Sequence, residues 1–374
     1  MRIAFYAPMK SPRHAVPSGD RRVARLLMRA LRRAGHTVAL ASELRAWEGA
    51  GDAGRQRAIA RRGAARARDL VAGWRGGAWP APDLWFTYHL YHKAPDWLGP
   101  PVSSALGIPY VVAEASHSPR RAEGAWAAGF RAAEAALRQA DALIALTARD
   151  AAGLTAALGP EAPIHRLPPF LDERPYAAPD RAAARRRWGT ADGGPWLLAV
   201  GMMRPGDKAA SARVLADALA RLAGRDWRLL VAGFGPLADT IPGWFPAGRV
   251  RTVGRLAGTD LPSLYRAADI FVWPAVNEAF GMAILEAQAA GLPVVAGRQG
   301  GVAEIVAEGE TALLARAGDA ADFADQLARL LDDPGLAARL GAAALHHVHQ
   351  SHGMEAATVR LDRILATATR RHAR

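Results

Sequence analysis

At 374 residues the chain exceeds the roughly 250–300 at which one hydrophobic core stops growing, so two domains are expected. With 51% apolar and 22% charged residues it fits none of the disordered, collagen-like or coiled-coil classes, and the absence of cysteine excludes disulfide scaffolds, thiolate nucleophiles and every cysteine-containing zinc site. The net charge of +13 is uneven: residues 1–75 hold 17 basic and five acidic side chains, and the remainder is nearly neutral.

A basic segment of this size suits nucleic acid, anionic lipid or an anionic soluble substrate, or is simply a solvated arginine-rich surface. No window approaches 18 uninterrupted apolar residues, so neither a signal peptide nor a spanning helix is expected, and the expected compartment is the cytoplasm.

Arg2 to Pro8 reads as a short buried strand, and Ser18-Gly19-Asp20 opens a helix with Asp20 as N-cap. Val23, Leu26, Leu27, Ala30, Leu31 and Ala34 then recur at spacings of three and four, opposite Arg21, Arg22, Arg25, Arg29, Arg32 and Arg33, until Gly35 ends the helix. A strand follows at 37–41, a second basic helix at 55–74, and short apolar runs at 84–88, 109–113 and 142–146. Residues 168–190 combine proline, charge and poor periodicity and mark a boundary. Beyond it, strands are expected at 196–200, 228–232, 250–253, 270–273 and 294–296, helices at 209–222 and 280–290, and a helical tail at 320–331, 334–347 and 353–371. Buried strands alternating with helices predict two similar α/β domains, each with a largely parallel sheet, facing a cleft.

Gly201-Met202-Met203 leads to Arg204 and Lys208 between a strand and a helix, where free backbone N–H groups and the helix dipole favour a diphosphate; it is not a Walker A sequence. Gly233-Phe234-Gly235-Pro236 lacks the third glycine of a dinucleotide fingerprint and reads as a tight turn. From Asn277 to Glu286 two carboxylates stand eight residues apart, Glu278 before a helix and Glu286 inside it among apolar neighbours. A carboxylate there needs a partner, either sugar hydroxyls or a buried ion pair. His117 and the stretch Tyr88-His89-Leu90-Tyr91-His92 follow strands, a position shared by catalytic and by purely structural histidines. His346, His347, His349 and His352 lie in the helical tail, and no metal site is expected there; Asp-x-Asp and HExxH are both missing.

With Glu278-Ala279-Phe280-Gly281, Glu286, Gly301-Val302-Ala303-Glu304-Ile305-Val306, the segment 251–268 and the opening Arg2 to Val38 taken together, the chain resembles a family 4 glycosyltransferase, retaining and of the GT-B fold. The resemblance implies two Rossmann-like domains facing an interdomain cleft: 1–175 for the acceptor, 185–350 for the nucleotide sugar, and a helix at 351–374 packing back toward the first. It assigns Arg204 and Lys208 to the donor diphosphate, Glu286 to the donor ribose, Phe280 and Gly281 to the phosphate and sugar pocket, and Gly19 to a glycine loop near donor and acceptor. His117 and Glu278 become the catalytic pair beside the reacting sugar, with no metal and no cofactor. The interdomain phrase departs from the family, reading Pro169-Phe170-Leu171-Asp172 and keeping only the aspartate.

The activity implied is transfer of a sugar from a UDP- or GDP-linked donor to a saccharide or lipid-linked acceptor with retention at the anomeric carbon, in cell-envelope polysaccharide synthesis. A GT-B epimerase or phosphorylase is one alternative. A non-catalytic nucleic-acid or anionic-polymer binding protein is the other, although no nucleic-acid motif is present and nucleic acid is not expected as a partner. The basic first helix adds an expected peripheral association with the anionic inner face of the cytoplasmic membrane.

Overall fold

The structure, a computed structural model, describes residues 1–16, 18–178, 180–191, 194–256 and 258–374. Pro17, Pro179, Asp192, Gly193 and Ala257 lie outside these, Pro179 within the boundary segment 168–190 and Ala257 within the segment 251–268. The chain divides into two compact units, one of Met1–Pro168 with Ala357–Arg374, the other of Pro169–Ala356.

The first unit holds β1 (Arg2–Tyr6), α1 (Gly19–Arg33), β2 (Thr37–Ser42), α2 (Ala53–Arg75), β3 (Leu84–Leu90), α3 (Gly99–Leu106), β4 (Tyr110–Ala115), α4 (Ala127–Gln139), β5 (Ala142–Ala145), α5 (Ala148–Leu158) and β6 (Ile164–Arg166). Its sheet is parallel in the order β2-β1-β3-β4-β5-β6. The chain leaves β1 for one side and returns to the other, so the switch point falls between β1 and β3, where open α/β sheets offer a crevice at their strand ends. Both sheet faces are covered: Ile3, Phe5, Leu84, Trp85, Phe86, Val111 and Val112 are buried, as continuous apolar strands require.

Ser18, not Asp20, caps α1, its hydroxyl accepting from the Arg21 amide at 3.3 Å. Asp20 lies in the first turn with its side chain turned to His89. Val23, Leu26, Leu27 and Leu31 face inward as the spacing predicts. The arginines opposite are not all free cations: Arg21 donates to the carbonyls of His14 and Ala15, Arg25 to Pro12, and Arg32 to Val38.

The second unit runs through α6 (Arg174–Ala177), α7 (Arg181–Trp188), β7 (Trp196–Val200), α8 (Asp207–Arg221), β8 (Arg228–Ala232), β9 (Val250–Gly254), α9 (Asp260–Ala267), β10 (Ile270–Trp273), α10 (Met282–Ala289), β11 (Val294–Gly297), β12 (Ala312–Ala315), α11 (Ala320–Asp332) and α12 (Pro334–His347). Its parallel sheet has the order β12-β11-β10-β7-β8-β9. The last helix, α13 (Met354–His372), starts here, and from Ala357 onward belongs to the first unit.

The stretch 168–190 is more ordered than its composition predicts. Phe170 and Leu171 are buried, the Leu171 amide donates to the His352 carbonyl, and Asp172 takes a bidentate pair from Arg174 at 2.9 and 3.0 Å. Helices α6 and α7 follow at once; Asp180 caps the second, and Arg181 and Arg185 both reach Asp269 at 2.7 Å. Two short, charge-anchored helices carry too few apolar positions to show a period.

Candidate active site

In the second unit three strand ends meet around one point. The loops after β7 and β8 touch backbone to backbone: the Met203 amide donates to Phe234 and the Leu237 amide to Met203. A Cβ on Gly233 would stand 1.9 Å from the Gly201 carbonyl oxygen, so close approach explains the glycine turn at 233–235. Nothing about that turn asks for a dinucleotide.

Lys208, in the first turn of α8, forms an ion pair with Glu278 and lies 5.5 Å from the centre of the Trp273 ring. The indole N–H of Trp273 donates to the same Glu278 oxygen at 3.3 Å. Ala275 and Asn277 adopt left-handed backbone at φ 56° and 50°, and the bend is pinned by Ser211, whose hydroxyl accepts from the Val276 amide at 2.9 Å, and by Asn277 donating to Asp207 at 3.1 Å. Strain of this kind in non-glycine residues survives only where surrounding contacts over-determine it, and it clusters at functional sites.

Gly281 starts α10 at φ 75° with no side-chain cap, and Gly206 starts α8 equally uncapped. Both helices therefore present unpaired N–H groups and positive dipole ends beside the Lys208–Glu278 pair. Arg204 is exposed after β7, and Phe280 is half-buried.

Glu286 is 2% exposed inside α10, and the hydroxyl of Tyr265 donates to it at 2.8 Å. The partner that its apolar setting demands thus includes a phenol from α9. The structure brings Arg204, Lys208, Glu278, Phe280, Gly281 and Glu286 to the carboxyl end of one sheet. Gly19 and His117 belong to the first unit. An added Cβ on Gly19 would meet nothing within 4 Å, so the fold itself does not require glycine there. His117 packs against Phe130 at 5.0 Å with its Nε2 buried and unpartnered, and burial holds its pKa below the ordinary histidine value.

A second cluster in the first unit escaped the sequence. His89 and Glu114, at the ends of β3 and β4, are both left-handed, at φ 62° and 56°, and His89 Nδ1 bonds Asp20 at 3.1 Å. Their order in the sequence, 69 and 25 residues apart, carries no spacing signal; only parallel pairing of β3 and β4 unites them. Of the tail histidines only His347 and His352 bring their rings together, 5.1 Å apart; His352 bonds the Pro169 carbonyl at 2.7 Å and His349 faces Glu173, and among the described residues no group of three metal-binding side chains occurs. Nor is any helix among them long and apolar enough to cross a membrane.

Comparison with known proteins places this geometry in a class. Residues 194–333 match the family model "Glycosyl transferases group 1", and this stretch, which contains Arg204, Lys208, Tyr265, Glu278, Phe280, Gly281 and Glu286, is a glycosyl transferases group 1 domain. The chain as a whole has the GT-B fold read from the resemblance: it superposes on HepE of Anabaena, in complex with UDP and glucose, with a TM-score of 0.72 and 18% identity over 97% of this chain and 99% of that one. It superposes on the sucrose-phosphate synthase of Thermosynechococcus elongatus with a TM-score of 0.74 and 20% identity over 98% of each.

Among curated proteins it is 35% identical over 226 residues to the D-inositol 3-phosphate glycosyltransferase of Nocardia farcinica, which covers 56% of this chain and 49% of that protein. The chain thus spans about half the length of the curated relatives it matches.

Proposed function

We propose that the protein is a glycosyltransferase that moves a sugar from a nucleotide-diphosphate sugar to a hydroxyl of a saccharide or lipid-linked acceptor, with retention. The observation that carries this is the pairing of Lys208 with Glu278 between two uncapped helix starts, inside the matched domain. Lys208 offers a donor diphosphate a cation and Arg204 a second one, while the α8 and α10 amides supply fixed dipoles. Charge growing on the departing diphosphate meets preorganised donors, the kind of electrostatic stabilisation that is usually the largest single term in catalysis. Glu278, fixed by Lys208 and Trp273, keeps lone pairs for hydroxyls of the donor sugar. Glu286, its rotamer fixed by Tyr265, is the carboxylate for the ribose. The space beside Gly19 suits close approach of substrate to backbone.

The curated relatives are glycosyltransferases by name, which favours transfer over the epimerase and phosphorylase alternatives. HepE complexes with UDP and UDP-glucose make UDP-sugars the first donors to test and GDP-sugars the second. The curated relatives act, by name, on D-inositol 3-phosphate, so a cyclitol phosphate joins the acceptors beside the cell-envelope saccharides. Exposed Arg57, Arg61 and Arg62 on α2, together with the +12 of residues 1–75, support contact with an anionic membrane face.

The test is product formation from a panel of UDP- and GDP-sugars with EDTA present, followed by NMR of the new anomeric proton. The expected result is transfer that survives chelation and keeps the donor's anomeric configuration. Inverted product, or turnover restored to a chelated enzyme only by magnesium or manganese, would overturn the mechanism.

A further inference from the structure

The cluster at the end of the first unit's sheet is built rather than incidental. Strands β3 and β4 pair with Tyr88 opposite Ala113 and Leu90 opposite Ala115, which sets His89 and Glu114 side by side at the last step of the ladder. Both adopt left-handed backbone at this one register, φ 62° and 56°. A bulky residue with positive φ is uncommon, and two at one level of adjacent strands turn both side chains out of the ordinary pleat. They arrive at a common point: His89 Nδ1 is 3.7 Å from Glu114 Oε1 and 3.1 Å from Asp20 Oδ1. Asp20 enters from α1, across the switch point between β1 and β3.

The bonding leaves two valences open. Nδ1 of His89 is taken by Asp20, so Nε2 is the nitrogen without a protein partner; whereas the unpartnered Nε2 atoms of His92 and His117 are buried, the imidazole of His89 keeps 18% of its surface. Oε2 of Glu114 is buried and has no hydrogen-bond partner, while its side chain retains 19% exposure. A buried, unpaired carboxylate oxygen is costly unless a ligand completes it.

Charge decides what that ligand is. The titratable groups facing the pair are Asp20 from α1, Tyr88 from β3, Tyr91 just after β3 with its ring 5.4 Å from that of His89, Asp150 from α5 and, beyond Asp20, Lys10. Burial opposes a charged imidazole, but Glu114 and Asp20 outweigh it and raise the His89 pKa. Burial raises the pKa of Glu114, the charge of His89 and the Tyr88 hydroxyl oppose the rise, and the charges of Asp20 and Asp150 add to it. Three carboxyl groups around one imidazolium repel an anion; the geometry does not form a metal site. A neutral hydroxyl both donates and accepts, and matches one open N–H beside one open carboxyl oxygen.

We propose that Asp20, His89 and Glu114 form a hydroxyl-binding site for the sugar acceptor, with His89 Nε2 and Glu114 Oε2 touching a pair of hydroxyls, or both faces of one, and Asp20 as the positioning residue. This rests on the transfer reading above and adds to it the residues that hold the acceptor.

The test uses the full chain labelled in its histidine rings, with the His89 signal assigned by its loss in His89→Gln, and glucose, myo-inositol and D-inositol 3-phosphate as probes. At least one probe should shift the His89 ring signal saturably in the parent, and Glu114→Gln should weaken that binding about tenfold or more. Asp20→Asn should move both the His89 titration and the alkaline loss of probe binding to lower pH, a coupling that a merely structural aspartate would not produce. Titration of UDP-glucose and GDP-mannose into the same samples reports on the second unit, where all three variants should match the parent. No response of His89 to any probe, or probe binding unchanged in the folded Glu114→Gln and Asp20→Asn variants, overturns the proposal. Nucleotide sugars that fail to bind the parent count against the transfer reading instead.

Discussion

Lys208 serves two partners at once, the Glu278 carboxylate and the face of Trp273, and its stem lies in the first turn of an uncapped helix. Replacing it with alanine removes a charge-assisted contact worth roughly 1.5–3 kcal/mol. In initial-rate assays Lys208→Ala should lower kcat/KM for the donor about tenfold or more while leaving KM for the acceptor near the parent value. Equal donor kinetics in the folded variant would detach Lys208 from the site. Tyr265 carries a different burden. Tyr265→Phe keeps the ring packed against Phe271 and Tyr176 but takes a donor from the buried Glu286. The expected loss is about 1–3 kcal/mol in denaturant unfolding, and an unchanged midpoint would mean that the phenol is not what satisfies Glu286.

At the scale of elements, one buried carboxylate ties three of them together. Asp96 is 2% exposed and accepts from the Leu98 and Gly99 amides at the start of α3, from the Tyr110 hydroxyl of β4 at 2.9 Å, and from Thr87 of β3, itself bonded by the Trp85 indole. Burial raises its pKa even against these four donors. Asp96→Ala strands all four, each worth about 1–3 kcal/mol when left unpaired, so a loss of at least about 3 kcal/mol is expected in chemical denaturation. A second element-scale expectation concerns the membrane. Because Arg21, Arg25 and Arg32 of α1 bond backbone carbonyls, the expectation is placed on the exposed Arg57, Arg61 and Arg62 of α2. Removing Arg57, Arg61 and Arg62 together should weaken sedimentation with anionic liposomes at low salt, at about 1 kcal/mol per cation; binding that ignores lipid charge or these arginines would refute the contact.

Most of the elements were legible because their apolar periods are strong: β7, β8 and β10 fall where the sequence puts them, and α12 likewise. The short β6 and β12 were not read, and α6 and α7 looked like linker because charge rather than apolar spacing holds them. The second-unit cluster was readable from one contiguous stretch, 277–286, plus a strand-to-helix junction. Asp20, His89 and Glu114 were not, since positive φ in a histidine or a glutamate leaves no mark in composition, and their meeting depends on strand register.

For the whole molecule, linkage between the first-unit groups sets a pH signature. Burial pushes Asp20 upward, but its hydrogen bond and charge interaction with His89 prevail and hold its pKa below the ordinary 3.8. Its contribution is therefore present above 3.8 and lost as pH falls through the lowered folded value. His89 is raised above 6.5, so its contribution is complete below 6.5 and lost as pH rises through the raised folded value. The stability difference between the parent and Asp20→Asn should accordingly be largest between pH 3.8 and 6.5 and shrink on either side, as read by thermal unfolding across pH. A difference independent of pH would mean that the two groups are not coupled.

The central claim is that the second unit holds a nucleotide-diphosphate sugar between Arg204, Lys208 and the starts of α8 and α10. Calorimetric titration of UDP- and GDP-sugars, in EDTA, into the parent chain and into the Arg204→Ala, Lys208→Ala double variant tests it most directly. Saturable binding of at least one nucleotide sugar by the parent, lost or weakened about a hundredfold in the folded double variant by removal of two charge-assisted contacts, is the predicted result. No binding by the parent, or equal affinity in both proteins, would contradict it.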